Sequence, residues 1–362
     1  MRTLLVAGGS GGHLIPALTL AEVLRVDGPC SVLSSSRPVE RMLATKGSSI
    51  DWTTIDLKRL TPLWRWLSPR YMMHQWRAIR QVWKRVRETQ PDVVIGFGGY
   101  LSAVGVAAAR VSGVPTLIHE QNVIPGRANR WLARWADGVA VSFPETRRYL
   151  VSKAVVEVTG HPIRPVLSQA NFEQGRAFFG FDLNRPVLLM TGGSQGARAI
   201  NALALAMWQC IALRDRERIQ ILHLTGLAEV DRVKAVYQQL GLQAQVFSFL
   251  HEIQHALAAA SLCISRAGAT IIAEMTAMGV PAILVPYPYA GGHQGANAHW
   301  MESVGGAIVL EERALTPQRL WAEVQTILWT PGRLAQMRAA LCSQKNGSAT
   351  ERLVSLVRRV AG

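Results

Sequence analysis

The chain has 362 residues and a formal net charge of +15; 49% of its residues are hydrophobic and 17% are charged. Disordered chains combine low hydrophobicity with high charge density, so this composition excludes one, and the length predicts two domains. No apolar run reaches the roughly 18 residues that a membrane-spanning helix requires, so we expect none. The four cysteines form no CxxC pair, which argues against a disulfide framework or a cysteine-rich zinc site.

The basic excess is concentrated in the first half of the chain. Residues 1–160 hold 21 basic and 11 acidic side chains, whereas residues 161–362 hold 18 and 13. Residues 58–87 alone contain nine basic side chains, no acidic one and four of the 11 tryptophans. Such a segment suits a nucleic acid, an anionic membrane surface or an acidic ligand, and the charge by itself does not choose among them.

In chain order, short apolar runs alternate with longer helical patterns. Most of these runs end at a glycine or a polar residue and lead into a helix, which is typical of α/β proteins with parallel sheets. The clearest predicted strands are Thr3–Ala7, Val93–Ile95, Thr116–His119, Val139–Val141, Val187–Thr191, Gln220–Leu224, Leu262–Ser265 and Ala282–Val285.

The pattern of strand, glycine-rich turn and helix begins twice. Residues 4–12 (LLVAGGSGG) resemble residues 187–196 (VLLMTGGSQG), about half the chain further on. We therefore expect two similar Rossmann-like domains, residues 1–160 and residues 161–340, joined where Gly160, Pro162 and Pro165 cluster. The remaining residues at the end of the chain form a helical pattern that periodicity alone does not place.

The second glycine-rich turn, residues 192–196, is a candidate anion site. Glycines allow the backbone to approach an anion, and the following helix directs its N–H groups and positive dipole end toward it. A diphosphate is the expected occupant, and a plain strand–helix turn is the competing interpretation. The turn lacks both the Gly-Lys-Ser/Thr of a P-loop and the GxGxxG spacing of a dinucleotide site.

His13 follows the first glycine-rich turn, at the predicted start of a helix. The positive end of the helix dipole disfavours an imidazolium, so His13 should be neutral near pH 7 and able to take a proton from a hydroxyl. A histidine that only caps the helix is an equally good interpretation of the sequence.

Polar residues follow three further predicted strands. Residues 119–122 (HEQN) close one strand, and such a cluster at the carboxyl end of a parallel strand marks a site or is a plain loop. Glu274 lies inside a predicted helix, where its carboxylate suits a ribose diol or is simply solvated. Gln294 and Asn297 share a helix face and suit sugar hydroxyls.

Metal ligands are missing from the motifs. The sequence has no Asp-x-Asp, and no cluster of His, Cys and Asp has metal-ligand spacing. We therefore expect neither metal nor cofactor, and we expect arginine and helix dipoles to neutralise a leaving diphosphate. Arg164, just past the domain junction, is well placed for this because ligands commonly bind between domains.

Taken in order, six segments resemble a single family. They look like those of the bacterial peptidoglycan enzyme undecaprenyldiphospho-muramoylpentapeptide β-N-acetylglucosaminyltransferase, the MurG family, from residue 1 to about residue 340. The segments are residues 8–16 (GGSGGHLIP), 98–102 (GGYLS), 119–122 (HEQN), 192–198 (GGSQGAR), 265–274 (SRAGATIIAE) and 293–297 (HQGAN).

The resemblance implies a GT-B fold, in which two Rossmann-like domains face each other across a cleft. The first would take the lipid acceptor and dock on the membrane, with helix 341–362 rejoining it, and the second would take UDP-GlcNAc. The implied reaction is inverting, metal-independent transfer of GlcNAc to the C4 hydroxyl of MurNAc in lipid I. His13 and Glu120 would be catalytic. The binding residues would be Ser10, Gly11, Gly12, Asn122, Arg164, Ser194, Leu250 (through its backbone), Ala269, Thr270, Ile271, Ile272, Ala273, Glu274, Gln294 and Asn297.

Two positions depart from the family pattern, and other functions stay open. Ser10 stands where threonine is common, and residues 290–292 (AGG) lack the acidic or amide residue often found beside His293. The alternatives are a GT-B transferase for another lipid such as diacylglycerol, a nucleic-acid-binding protein and an inactive nucleotide-sugar-binding subunit. No RNP, helix-turn-helix or zinc-finger signature supports nucleic acid, and the presence of both His13 and Gln294 argues against the inactive subunit.

An acceptor with a long lipid tail must be taken from a membrane surface. Trp64, Arg65, Trp66 and Trp76 therefore become candidates for interfacial docking, and core tryptophans on a solvated basic helix are the alternative. The resemblance places such an enzyme peripherally on the cytoplasmic face of the bacterial inner membrane. It also makes other cell-wall and division proteins candidate partners and predicts no nucleic acid.

Overall fold

A computed structural model describes residues 1–8, 11–36, 50–57, 68–193, 196–289, 291–345 and 347–362. The chain forms two compact units. Unit 1 comprises Met1–Ile163 together with Ser348–Gly362, and unit 2 comprises Arg164–Gly347. The last helix therefore belongs to unit 1 and begins at Ala349, whereas residues 341–347, which we had grouped with it, stay in unit 2.

Each unit contains one parallel sheet. The strands of unit 1 are β1 Thr3–Ala7, β2 Cys30–Ser35, β3 Asp51–Ile55, β4 Val93–Gly96, β5 Thr116–Glu120, β6 Gly138–Val141 and β7 Val156–Val158. Those of unit 2 are β8 Val187–Thr191, β9 Gln220–Leu224, β10 Ala244–Phe247, β11 Leu262–Ser265, β12 Ala282–Leu284 and β13 Ala307–Val309. The spatial orders are β3-β2-β1-β4-β5-β6-β7 and β10-β9-β8-β11-β12-β13, with every pairing among them parallel. The predicted α/β class with parallel sheets is confirmed.

Helices connect the strands. In unit 1 they are α1 Gly11–Leu24, α2 Pro69–Thr89, α3 Gly99–Val111 and α4 Arg127–Leu132, followed by a 3₁₀ helix at Pro144–Tyr149. In unit 2 they are α5 Pro165–Gln169, α6 Phe172–Phe179, α7 Arg198–Cys210, α8 Leu213–Arg216, α9 Val230–Gln239, α10 Ile253–Ala259, α11 Ala269–Met278, α12 His293–Ser303, a 3₁₀ helix at Glu312–Ala314, α13 Pro317–Trp329 and α14 Arg333–Cys342. The chain ends with α15 Ala349–Ala361 in unit 1.

The first strand of each unit lies inside its sheet and is buried along its whole length. β1 (TLLVA) and β8 (VLLMT) are continuous apolar runs, as expected of parallel strands that helices cover on both faces. The strand order reverses beside each of them, so β1/β4 and β8/β11 are switch points. In doubly wound sheets, ligands bind outside the carboxyl ends of the strands at such points.

The last helix is an integral part of the core of unit 1. α15 packs against α1 and against the sheet, on the face opposite the layer formed by α2, α3 and α4. Each apolar side chain that it buries contributes about 1.5–3 kcal/mol relative to exposure. These side chains belong to Leu353, Val354, Leu356 and Val357.

Candidate active site

In unit 1, two glycine-rich turns meet at the β1/β4 switch point. β1 leads through Gly8 into α1, and β4 leads through Gly98 and Gly99 into α3. Gly98 and Gly99 have φ values of +99° and +82°, a conformation that side chains rarely adopt. A Cβ on Gly99 would lie 2.3 Å from the Gly8 carbonyl oxygen, so only glycine allows the two turns to approach this closely.

His13 lies in the first turn of α1, directly after Gly11 and Gly12, and its ring is held by these turns. The ring Nδ1 is 3.0 Å from the carbonyl oxygen of Gly8. Because a carbonyl only accepts, Nδ1 carries the proton and the neutral ring has its lone pair on Nε2. A Cβ on Gly98 would lie 3.2 Å from Nε2, so the missing side chain makes room for the ring. An imidazole held in this orientation suits a general base.

Glu120, at the end of β5, is buried and its carboxylate holds the loop that follows. Oε1 accepts from the backbone and side-chain amides of Asn122, at 2.9 and 3.1 Å. Oε2 accepts from the Gly126 N–H at 3.0 Å and from Asn129 Nδ2 at 2.9 Å. Both oxygens therefore accept from donors of the following loop, so Glu120 positions Asn122, and its predicted catalytic role stays a prediction.

Sequence reasoning missed Asn129, which completes this arrangement. Its side-chain Nδ2 also donates to the His119 carbonyl oxygen at 3.1 Å, and it lies 3.4 Å from the place of a Cβ on Gly98. Asn129 therefore contacts the loop that Glu120 holds and also lies beside Gly98, where the His13 ring is placed. No motif contains Asn129, and only the fold of α4 brings it to this place.

Two buried histidines, His119 and His161, lie beside each other near the carboxyl end of β5. His119 Nε2 donates to the Gly160 carbonyl oxygen at 3.0 Å, and its Nδ1 accepts from Gln121 Nε2 at 3.1 Å. Burial lowers the pKa of His119 to about 4. Burial and the neighbouring His119 lower the pKa of His161 to about 3. Both rings are therefore neutral near pH 7.

In unit 2, the β8/β11 switch point combines a glycine-rich turn with a helix start. A Cβ on Gly196 would lie 2.1 Å from the Thr225 carbonyl oxygen, so the turn after β8 rests directly on the end of β9. Beside it, α11 begins at Ala269, and the Ile272 N–H makes an early bond of the helix to Gly268 at 3.1 Å. The preceding N–H groups of the first turn can thus face an anion.

The residues of α11 that we predicted to bind the nucleotide sugar have different surroundings. Ala269, Thr270 and Ile271 lie in the first turn, where their backbone N–H groups precede the intrahelical bonds. The side chain of Ile272 is completely buried and its N–H is bonded to Gly268, and its predicted contact with the nucleotide sugar stays a prediction. Ala273 lies in the next turn of the helix, beyond the helix start.

Arg164 and Glu274, predicted as separate nucleotide contacts, are bonded to each other. Arg164 Nη2 donates to Glu274 Oε1 at 2.9 Å, and Nη1 is 3.4 Å from the His251 carbonyl oxygen. Glu274 is only 4% exposed; burial raises its pKa, and the charge and hydrogen bond of Arg164 oppose this. Leu250 precedes His251, so three predicted nucleotide-binding positions come together here.

The two amides of α12 have different surroundings. Gln294 Oε1 accepts from the Tyr287 N–H at 2.9 Å and from the Ala267 N–H at 3.3 Å, which orients the side chain with Nε2 as its donor end. Asn297 is completely buried and donates to the Ala267 carbonyl oxygen at 3.2 Å. Asn297 therefore helps to position the loop after β11, and its predicted contact with the sugar stays a prediction.

Among the predicted docking residues, the structure describes Trp76. It is 57% exposed on α2, and the Arg80 guanidinium lies 4.6 Å from the centre of its ring. Further along the helix, the Arg87 guanidinium lies 5.8 Å from the Trp83 ring. Together with Met72, these four residues define the α2 stripe, which follows one helix face beside the buried side chains, with Trp83 packed partly against the core.

Several predictions lie outside the described residues, namely those on Ser10, Trp64, Arg65, Trp66 and Ser194. Within the described ranges, no three or more His, Cys, Asp and Glu side chains are grouped so that they could hold a metal ion. Among the helices in those ranges, none has the length and apolarity needed to cross a membrane.

Comparisons with known proteins cover the whole chain. Models of the N-terminal and C-terminal domains of glycosyltransferase family 28 match residues 3–141 and 187–353. Proteins from Syntrophotalea carbinolica and Desulforudis audaxviator are 38% and 36% identical, covering 100% of this chain and 99% of each relative. Both are named UDP-N-acetylglucosamine–N-acetylmuramyl-(pentapeptide) pyrophosphoryl-undecaprenol N-acetylglucosamine transferase.

Solved structures agree with this result. The crystal structure of MurG from Acinetobacter baumannii matches with a TM-score of 0.73 and 28% identity, covering 99% of this chain and 100% of that one. The Os79 protein of O. sativa in complex with UDP matches with a TM-score of 0.71 over 99% of this chain, but its 15% identity shows the fold alone. The two parallel-sheet units are thus those of the GT-B class.

Proposed function

The chain belongs to the family of UDP-N-acetylglucosamine–N-acetylmuramyl-(pentapeptide) pyrophosphoryl-undecaprenol N-acetylglucosamine transferases, and we propose that it performs the reaction of that family. This reaction transfers GlcNAc from UDP-GlcNAc to lipid I and forms lipid II in peptidoglycan synthesis. The observation that carries the proposal is the full-length match to these relatives. The orientation of His13 in unit 1 and the start of α11, the helix of unit 2 that contains Glu274, agree with it.

In the mechanism that we propose, unit 1 takes the acceptor and His13 is the base. Nε2 removes the proton from the C4 hydroxyl of MurNAc while that oxygen attacks the anomeric carbon of GlcNAc. The bond from this carbon to the diphosphate breaks on the opposite side, so the configuration inverts and UDP leaves. Asn122, held by Glu120, would lie beside the acceptor with the turn at Gly11 and Gly12.

We assign the nucleotide sugar to unit 2. The helix starts after β8 and β11, together with Ser194 and Arg164, would neutralise the diphosphate. Glu274 would accept from the ribose hydroxyls, the Leu250 backbone would contact uracil, and Gln294 would donate to GlcNAc. Arg164 gives one N–H of Nη2 to Glu274, so its other guanidinium N–H groups would be the ones that contact the diphosphate.

The reaction itself is the first test. Purified protein is expected to release UDP from UDP-GlcNAc only when a lipid I analogue is present, and to do so in excess EDTA, because helix dipoles and arginine replace a metal in the proposed mechanism. Coupled detection of UDP with and without EDTA measures this. Strict metal dependence would contradict the mechanism, and turnover with diacylglycerol in place of lipid I would favour the alternative acceptor.

We also propose that unit 1 docks on the anionic cytoplasmic face of the inner membrane through the α2 stripe together with Trp64, Arg65 and Trp66, which precede α2 in the sequence. The support is chemical: an exposed tryptophan suits the interface, and each basic residue near an anionic leaflet adds about 1 kcal/mol. Docking places the enzyme where its lipid acceptor is. Cell-wall and division proteins stay candidate partners, and the proposal requires no nucleic acid.

Removing the stripe should release the protein from vesicles. The combined Trp76→Ala, Arg80→Ala and Arg87→Ala variant is expected to lower partitioning into anionic vesicles about 10- to 100-fold, as the loss of two charges and one interfacial anchor implies. Vesicle flotation measures it. The matched control removes an exposed arginine–aromatic pair of unit 2, Tyr289 and Arg313, whose groups are 5.7 Å apart. Equal flotation of the α2 variant and the wild type would rule out this surface.

A further inference from the structure

A chain of hydrogen bonds inside unit 2 ends at the glycine-rich turn. The Tyr237 hydroxyl is 2.8 Å from His223 Nδ1, His223 Nε2 is 3.1 Å from Asn201 Oδ1, and Asn201 Nδ2 is 2.9 Å from the Thr225 carbonyl oxygen. All four residues are at most 2% exposed. The proposed mechanism uses none of them, although buried polar groups are costly unless they are paired.

The order of donors along this chain is fixed by its last member. The Thr225 carbonyl only accepts, so the Asn201 amide directs Nδ2 toward it and Oδ1 toward His223. Oδ1 also only accepts, so His223 carries its proton on Nε2 and its lone pair on Nδ1. The Tyr237 hydroxyl must then donate to Nδ1. Each bond therefore depends on the orientation of the previous one.

The chain ends where the glycine-rich turn is supported. Thr225 and Gly226 are tied to the strand end beyond them, through backbone bonds of 3.0 Å to Phe247 and Ser248. Gly196 rests on this peptide, since a Cβ on Gly196 would lie 2.1 Å from the Thr225 oxygen and 2.8 Å from the Gly226 Cα. Asn201 itself lies in the first turns of α7, directly after the glycine-rich turn. A shift of the Thr225 carbonyl must therefore move the turn.

We propose that Tyr237 and His223 are positioning residues for the diphosphate of the nucleotide sugar. Acting through Asn201, they hold the Thr225–Gly226 peptide, against which Gly196 of the glycine-rich turn packs. The inference depends on the proposed function of that turn as the diphosphate site. The proposal adds His223 on β9 and Tyr237 on α9 to a site whose sequence motifs follow β8 and β11.

The test uses variants that change one donor at a time. Tyr237→Phe keeps the ring and removes the hydroxyl, and it is expected to raise the dissociation constant of UDP about 3- to 10-fold with kcat at saturating UDP-GlcNAc within about twofold. His223→Leu should weaken UDP binding further, and His223→Gln, which can still donate to Asn201, should restore part of it. Asn201→Asp places two acceptors face to face and should have the largest effect. Calorimetry with UDP measures the series.

Two further variants make the result decisive. Val324→Ala removes buried volume from the same core and should therefore lower Tm. Even where it lowers Tm as much as Tyr237→Phe does, it should leave UDP binding unchanged, because Val324 has no part in the chain of hydrogen bonds. The inference is overturned if Tyr237→Phe and His223→Leu bind UDP like the wild type while Glu274→Gln weakens binding, or if Val324→Ala weakens it as much as Tyr237→Phe. If Glu274→Gln also binds UDP normally, the nucleotide site itself is misassigned, and the inference falls with it.

Discussion

His13→Ala is expected to lower kcat about 10²- to 10⁴-fold and to leave the dissociation constant of UDP within about twofold of the wild type. The physical reason is that, in the proposed mechanism, the ring removes the proton of the acceptor hydroxyl and does not contact the nucleotide. Its Nδ1 is engaged with the Gly8 carbonyl oxygen at 3.0 Å, and in the proposed mechanism Nε2 accepts the proton. Steady-state kinetics with a lipid I analogue, combined with calorimetry for UDP, separates the two effects.

A second variant tests the position of the ring instead of its chemistry. Gly99→Ala retains His13, but the new Cβ would meet the Gly8 carbonyl oxygen at 2.3 Å and must displace the group that orients Nδ1. We expect kcat to fall in this variant as well, with UDP binding again unchanged. Turnover of His13→Ala within a few-fold of the wild type would show that His13 is not the base.

The sequence predicted the bounds of several strands inside the sheets. The bounds of β1, β8, β9 and β11 agree with the predictions, because strands covered on both faces need continuous apolar runs. β2 and β3 were missed, since CSVLSS and DWTTI are too polar to be recognised as strands. Their polar groups are paired across the sheet, as in the bond of 2.9 Å from the Trp52 ring nitrogen to Ser34 Oγ. Only the fold supplies such partners.

The candidate site shows the same division. Motifs located the turns, because glycine and helix starts are local features of the chain. They did not show that Asn297 is buried, or that Arg164 and Glu274, 110 residues apart, form a pair. The chain from Tyr237 to Thr225 was also beyond the sequence, because it joins three elements with no common motif. Partners of this kind are decided by tertiary packing.

Acidification is expected to unfold unit 1 before unit 2. Burial lowers the pKa of His119 to about 4 and that of His161 and His223 to about 3, whereas an unfolded histidine titrates near 6.5. Between these values the unfolded chain binds protons that the folded chain does not, so the stability is complete above about pH 6.5 and is lost as the pH falls. Each histidine contributes a slope of about 1.4 kcal/mol per pH unit. Unit 1 contains two of them and unit 2 contains one.

Hydrogen exchange followed by mass spectrometry between pH 7 and pH 4 can measure both units in one sample. Carboxylates also titrate in acid, so the comparison needs a variant that removes one histidine. His161→Leu suits this purpose, because His161 Nε2 finds no hydrogen-bond partner among the residues that the structure describes and Nδ1 makes only a long contact of 3.5 Å with Ser142 Oγ, so the substitution removes little hydrogen bonding. It should make the loss of stability of unit 1 with falling pH markedly shallower and leave unit 2 unchanged, while His299→Leu, at an exposed position, should alter neither. Earlier opening of unit 2, or an unchanged slope in His161→Leu, would mean that the buried histidines do not set the acid limit of the fold.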